Sequence, residues 1–329
     1  MTQFTQSSLQ AAAQSAPRCS PRWLQAGVLA SSIVLSACGG SAGGAAAPTS
    51  ASSTPVLSQE PGAPVFSGNT ATDGFNWFNF RRRQAGLPQL QRNFQIDSAA
   101  QAHSDYQRLN NTITHDQQSG RPGFTGVRLS ERLNAAGYRL QPAYAYGEVI
   151  SSTGDASGFY MAEELVAAIY HRFVIFEPMF KEGGSGSASG NGSWYLTVNF
   201  AANNGYGPGI GAGNLVTWPF ANQERVPPVF YSDYEAPDPV PGQNETGYPI
   251  SVHADLNATV QVGSFTVRQR GGNPLPVRML INASDSETPR SAASIIPLQV
   301  LAGNTLYDVQ FSGTVDGVSV SRSWSFRTR

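Results

Sequence analysis

The sequence predicts an α+β protein: an N-terminal domain of helices packed on a small antiparallel sheet, an α/β/α sandwich, followed by a small all-β sandwich. Three observations carry this. Apolar residues recur at helical spacing between about residues 73 and 170, as with Met161, Leu165 and Ala168. The run Trp194-Tyr195-Leu196-Thr197-Val198-Asn199-Phe200 alternates as a half-buried strand should. From Thr246 onward the chain reads as short apolar stretches separated by turn signals such as Gly271-Gly272-Asn273-Pro274 and Asp316-Gly317.

The first helix is expected over Asp73–Ala85, ended by Gly86 and Pro88. A second should begin near Asp97 as N-cap and run to Asn111, with Ala99, His103 and Tyr106 sharing one face at i, i+4 and i+7. That face makes His103 a helix-packing residue. Ser130 is a suitable N-cap for a third helix, which Gly137 stops. A single fourth helix is expected over Ser157–Tyr170. Gly183 to Gly192 is a Gly/Ser run read as a mobile loop; it holds no Gly-x-Ser-x-Gly elbow and no phosphate-loop lysine. Residues 206–245, with seven prolines from Pro208 to Pro241, read as a semi-rigid linker. In the last domain, strands are expected at Pro249–Val252, Ser264–Arg270, Val277–Ile281, Tyr307–Ser312 and Ser321–Arg327.

Residues 1–37 read as a leader outside the fold. Arg18 and Arg22 precede the apolar stretch Trp23–Ala37, which is too short to span a bilayer and ends in small residues. It finishes in Leu35-Ser36-Ala37-Cys38, which matches the lipobox of bacterial lipoproteins, so Cys38 is the expected lipidation site. Gly39 lacks the aspartate that retains lipoproteins at an inner membrane, which favours anchoring at the outer one. Residues 38–66, nearly all Gly, Ala, Ser, Thr and Pro, read as a flexible tether. With Cys19 in the leader and Cys38 lipidated, the mature chain has no disulfide to form. A formal net charge of −1 gives no reason to expect nucleic acid as a partner.

Several ordered motifs resemble one family. They are Asn79-x-x-Arg82-x-x-x-Gly86-Leu87-x-x-Leu90, Ala99-Ala100-x-x-His103, Thr114-His115, and Arg132-x-x-x-x-Gly137-Tyr138. Gly147-Glu148-Val149-Ile150 and His171-Arg172-x-x-Ile175-x-x-Pro178-x-Phe180 complete the set. Together they resemble the CAP superfamily (cysteine-rich secretory proteins, antigen 5, pathogenesis-related 1) in its compact bacterial form, over residues 67–205. The family's usual Gly-Glu-Asn-Ile stands here with Val149 in place of asparagine. Residues 246–329 resemble a bacterial immunoglobulin-like domain, with Tyr307 as a corner tyrosine and Trp324 in the core.

The CAP resemblance implies a cavity lined by His115, Glu148 and His171. Glu164, seven residues before His171, joins as a further candidate because two helical turns would put both on one face. Two imidazoles and a carboxylate are donors for a divalent metal such as Zn2+, with His115 and His171 as the nitrogen ligands. No nucleophile paired with a base is evident. The leading function is therefore a lipid-anchored envelope module, not an enzyme, that binds a ligand, lipid, cell-wall or protein partner through the His/Glu cavity. The alternatives are a metal-assisted hydrolase using the same cavity and an architectural or adhesion protein.

Overall fold

The computed structural model describes Leu57 and residues 60–329, together with the backbone of Gln3–Thr5 (β1) and Gln10–Ala12 (β2). Cys38, the lipobox and most of the tether lie outside the described residues. Among those described, no helix is long and apolar enough to cross a membrane.

The first domain is a three-layer sandwich. Its sheet runs β1-β4-β6-β5-β3, built on Tyr144–Thr153 (β4), Ser193–Ala202 (β6) and Glu182–Gly190 (β5), with the short Gln91–Arg92 (β3) parallel to β5. Strand periodicity sorts the side chains of β6 to two faces. Leu196, Val198 and Phe200 join Phe75, Trp77 and Phe78 of Thr70–Gln84 (α1) and Phe159, Met161 and Leu165 of Gly158–Ala167 (α4) in one cluster. Ala201, with Tyr146 of β4, meets Ile96 and Ala99 of Phe94–Asn110 (α2) and Leu129 and Leu133 of Leu129–Ala135 (α3). The predicted α/β/α layering is what forms.

Three local expectations change. The Gly/Ser run is not a loop but the strand β5, between β6 and β3, paired with β6 along its whole length. Its glycines answer a packing demand: a Cβ on Gly184 would sit 2.2 Å from the Asp97 nitrogen, and one on Gly186 2.1 Å from that of Gln101. Helix α2 thus lies directly on the β5 backbone. Gly186→Val should therefore force α2 off the sheet and cost at least about 3 kcal/mol, measured as a drop in the urea midpoint. Second, α2 starts earlier than Asp97: Asn93 is the N-cap and accepts from the Gln95 and Ile96 amides, while Asp97 turns inward to accept from Ser185 N at 2.8 Å. Third, the fourth helix is two. Ala168 is extended (ψ 119°) between α4 and Ile169–Ile175 (α5).

The expected leader is not wholly outside the fold. The backbones of β1 and β2 pair antiparallel with the outer edge of β4, which otherwise offers an open row of donors and acceptors.

The C-terminal half is an all-β sandwich of two four-stranded sheets. One is ordered β13-β14-β11-β7 (Val277–Ile281, Ala292–Pro297, Ile250–His253, Val216–Trp218). The other is β12-β15-β16-β8 (Val260–Gln269, Leu306–Val315, Val318–Thr328, Gln223–Val226). A two-stranded piece, Phe230–Tyr231 (β9) with Glu245–Thr246 (β10), closes one end. Residues 206–245 are thus no linker: they supply β7, β8 and β9, and Trp218, Val226 and Ser232 have no exposed surface. Prolines there sit between strands, where their missing N–H costs nothing.

The two halves share one apolar core. The rings of Phe176 and Trp218 meet edge-on at 5.0 Å, and His253 lies 5.5 Å from Phe176. The buried Arg172 donates to Pro249 O at 2.7 Å and to Ser251 Oγ at 3.2 Å. A boundary at 245 therefore cuts through packed structure.

Candidate functional site

Glu148 occupies the middle of β4 opposite Asn199, on the face covered by α2 and α3, and is 3% exposed. A carboxylate this deep requires compensation, and Arg132 of α3 supplies it. Its Nη2 donates to both Glu148 oxygens, at 2.8 and 2.7 Å. Its Nη1 donates to the backbone carbonyls of His115 (2.7 Å) and Val127 (3.0 Å). One guanidinium thereby pins the carboxylate and the loop carrying the histidine. Burial would push the Glu148 carboxyl up, but Arg132, His103 and the His115 hydrogen bond outweigh it and hold the group below its ordinary range.

His115 Nδ1 lies 2.8 Å from Glu148 Oε1. An ionised carboxylate only accepts, so His115 Nδ1 is the donor of this bond. The His115 side chain is 24% exposed, whereas Arg132 is fully covered.

His103 completes the cluster as a buried helix residue, as its spacing predicts. Its Nε2 sits 2.7 Å from the Thr114 carbonyl and therefore donates, while Nδ1 accepts from Gln117 Nε2 at 2.9 Å. Burial drives its pKa down from 6.5 to about 4, with Glu148 opposing and Arg132 adding to the fall. An imidazole that protonates at 6.5 when unfolded and near 4 when folded contributes stability that is intact above 6.5 and lost as pH falls toward 4. The expected NMR result is a His103 ring that stays neutral throughout the range from pH 7 to 5. A midpoint near 6.5 would contradict the buried, two-bonded geometry.

The neighbouring residues of the histidine loop face outward. Thr114 and Asp116 line a polar cleft of about 240 Å³ with Tyr106, Asn110, Gln118 and Arg121. Val149, the departure from the family motif, points to the opposite face and packs with Val198 in the α1/α4 core. The substitution leaves the bonding of Glu148 untouched.

The other two candidates do not join this site. His171 is fully buried on α5, on the opposite side of the sheet, and neither it nor His115 forms the expected pair of solvent-facing imidazoles. Its Nδ1 is 2.9 Å from Glu235 Oε1, a residue of the expected linker. Glu235 also accepts from the amides of Ile169 (2.8 Å), Tyr170 (2.7 Å) and His171 (3.2 Å), capping the helix that starts after the break at Ala168. That break destroys the two-turn register linking Glu164 to His171; Glu164 instead lines a separate cavity against β8. Sequence reasoning missed Glu235 and Arg132. The latter stood within a quoted motif, its spacing giving no sign of a carboxylate partner.

The proposed zinc donors do not fit a metal. His115 and His171 are turned to different carboxylates, and both Glu148 oxygens are held by Arg132. Among the described residues no group of three or more His, Cys, Asp or Glu side chains is placed to share an ion.

A three-layer α/β/α domain with a loop histidine tied to a strand carboxylate defines the class of the N-terminal half. Residues 75–200 match the model of the cysteine-rich secretory protein family, CAP, so this segment of the chain is a CAP domain. Among solved structures, it is similar to an extracellular protein containing an SCP domain from Bacillus anthracis. Identity there is 22% over 42% of this chain and 44% of that one, with a TM-score of 0.35. An outer surface protein of Borrelia burgdorferi shows 13% identity over 40% of this chain and 90% of that one, with a TM-score of 0.34. The match spans less than half of the Bacillus protein. No curated protein matches the chain.

Proposed function

We propose that this chain is a lipid-anchored envelope protein whose CAP domain binds a ligand or partner along the cleft beside the His115 loop. The observation that carries the reading is the engagement of Glu148. With both oxygens accepting from Arg132, one also bonded to His115, and the residue only 3% exposed, the carboxylate is turned inward to orient the loop and does not open onto the cleft as a general base would. Around that fixed loop, Asp116, Arg121, Gln118 and Asn110 offer both hydrogen-bond signs to a polar ligand. The test is a binding screen of glycans and lipid headgroups against the wild-type chain and Arg121→Ala. Binding lost in the variant with unchanged melting temperature supports the cleft. Turnover of an ester, peptide or phosphodiester that disappears in His115→Ala would instead favour the hydrolase reading.

The anchor belongs to the same proposal and rests on Leu35-Ser36-Ala37-Cys38. Cys38→Ala should leave the chain unlipidated and released from the membrane fraction, or unprocessed, as read by mass spectrometry of its N-terminus. An unmodified mature N-terminus at another residue would remove the lipoprotein assignment. The outer membrane is the favoured location because Gly39 follows the cysteine. The immunoglobulin-like assignment of the C-terminal sandwich is supported by Tyr307, whose hydroxyl accepts from Ala302 N at 2.8 Å, and by the covered Trp324.

A further inference from the structure

A second cavity, of about 190 Å³, lies between α4 and β8, where the CAP domain meets the C-terminal sandwich. Its charged groups divide into those already neutralised and those that are not. Arg81 is buried and engaged on all sides: Nη1 and Nη2 donate to Glu60 at 2.6 and 2.8 Å, and Nε donates to Glu163 at 2.7 Å. Glu163 also accepts from Trp77 Nε1 at 2.7 Å. At the rim, Glu224 pairs with Arg327 at 3.3 Å.

Glu164 is different. Its side chain is half-buried and lines the cavity, and among the described residues its carboxylate makes no hydrogen bond or salt bridge, with Arg329 acting on it only through its charge. A half-buried carboxylate with no hydrogen-bond donor is costly. Arg225 and Arg329, both exposed, line the same cavity, and among the described residues neither is within salt-bridge distance of a carboxylate. Arg225 also holds a left-handed backbone, φ +60°, which costs a non-glycine residue on the order of 1 kcal/mol and places its side chain at the cavity.

We propose that this interdomain cavity binds a small zwitterion of amino-acid size, its ammonium on Glu164 and its carboxylate on Arg225 and Arg329. A simple cation would meet the two rim arginines, and a simple anion would meet Glu164. Only a molecule bearing both charges satisfies both ends. The volume suits a single amino acid.

Burial, with the neighbouring Glu163, raises the Glu164 pKa from 4.5 to about 7, and Arg329 opposes the rise. Tyr160, Glu60, Arg81, Glu224 and Arg225 are the other titratable or charged groups lining the cavity. The folded state holds the proton longer than the unfolded one, so Glu164 costs stability as pH rises from 4.5 to 7. Glu164→Gln should therefore melt higher than wild type above pH 7 and match it near pH 4.5, an internal check that the variant is folded.

The experiment is calorimetric titration of the full chain in detergent at pH 7.5 with three probes: L-alanine, ethylamine and propionate. L-Alanine should bind at millimolar concentration, with each single-charge analogue at least about tenfold weaker. Glu164→Gln and Arg329→Gln should each weaken L-alanine about tenfold. Arg121→Ala, in the separate cleft, should leave it unchanged, which keeps this site distinct from the function proposed above. Ethylamine or propionate binding as well as L-alanine would overturn the assignment. So would undetectable L-alanine binding, or full affinity in the Gln variants. Should Glu164→Gln not fold, Arg225→Ala decides by the same measure.

Discussion

Arg132→Met should destabilise the protein by about 3–5 kcal/mol, the usual cost of removing one member of a buried ion pair. The reason is the partner left behind. Glu148, 3% exposed, would keep its charge with only the His115 contact or would take up a proton against the pull that now holds it ionised. The same substitution frees the His115 carbonyl, so the loop should loosen as well. The double variant Arg132→Met/Glu148→Gln should recover part of the loss, because an amide costs less to bury than an unpaired charge. Denaturant midpoints of the wild type, two single variants and the double variant measure this directly. A loss under about 1 kcal/mol in the single variant would mean that the guanidinium is not the clamp described.

The second large effect is at Glu235. Replacing it by alanine removes the acceptor for three helix-start amides and for His171 Nδ1, all fully or nearly buried. A loss of about 3 kcal/mol or more is expected. Because Glu235 belongs to the C-terminal half and α5 to the CAP domain, the damage should fall on their junction. Wild-type protein should resist limited proteolysis across residues 206–245, and Glu235→Ala should be cut there. Equal cleavage in both would restore the view of that segment as a linker.

The sequence was legible where one periodicity dominated. The alternation in Trp194–Phe200 and the pair Met161 and Leu165 placed β6 and α4 on the correct faces, and the ordered motifs located the CAP domain, whereas Ala168, the third member of the expected stripe, lies beyond the end of α4. It misled where two demands competed at one residue. Gly184 and Gly186 have poor strand propensity, yet only the absence of a side chain admits α2 at that distance. The proline-rich 206–245 stretch reads as a connector because proline interrupts ladders, but its buried Trp218 and Val226 show strands fitted between the prolines. The candidate site failed at long range. Nothing local marks Glu235 as the partner of a histidine 64 residues earlier, and with Ala168 breaking the helix the Glu164–His171 register does not survive. A family motif gives the residue, not the environment that an added domain builds around it.

The central claim is that His115 and His171 belong to two separate carboxylate pairs on opposite faces of the sheet. Double-mutant cycles test it most directly. Stability would be measured for alanine substitutions of His171 with Glu235, His115 with Glu148, and His171 with Glu148. The first two pairs should show coupling of about 1 kcal/mol or more, and the third should be additive within about 0.5 kcal/mol. Strong coupling between His171 and Glu148, with none between His171 and Glu235, would return both histidines to a single cavity and contradict the structure described.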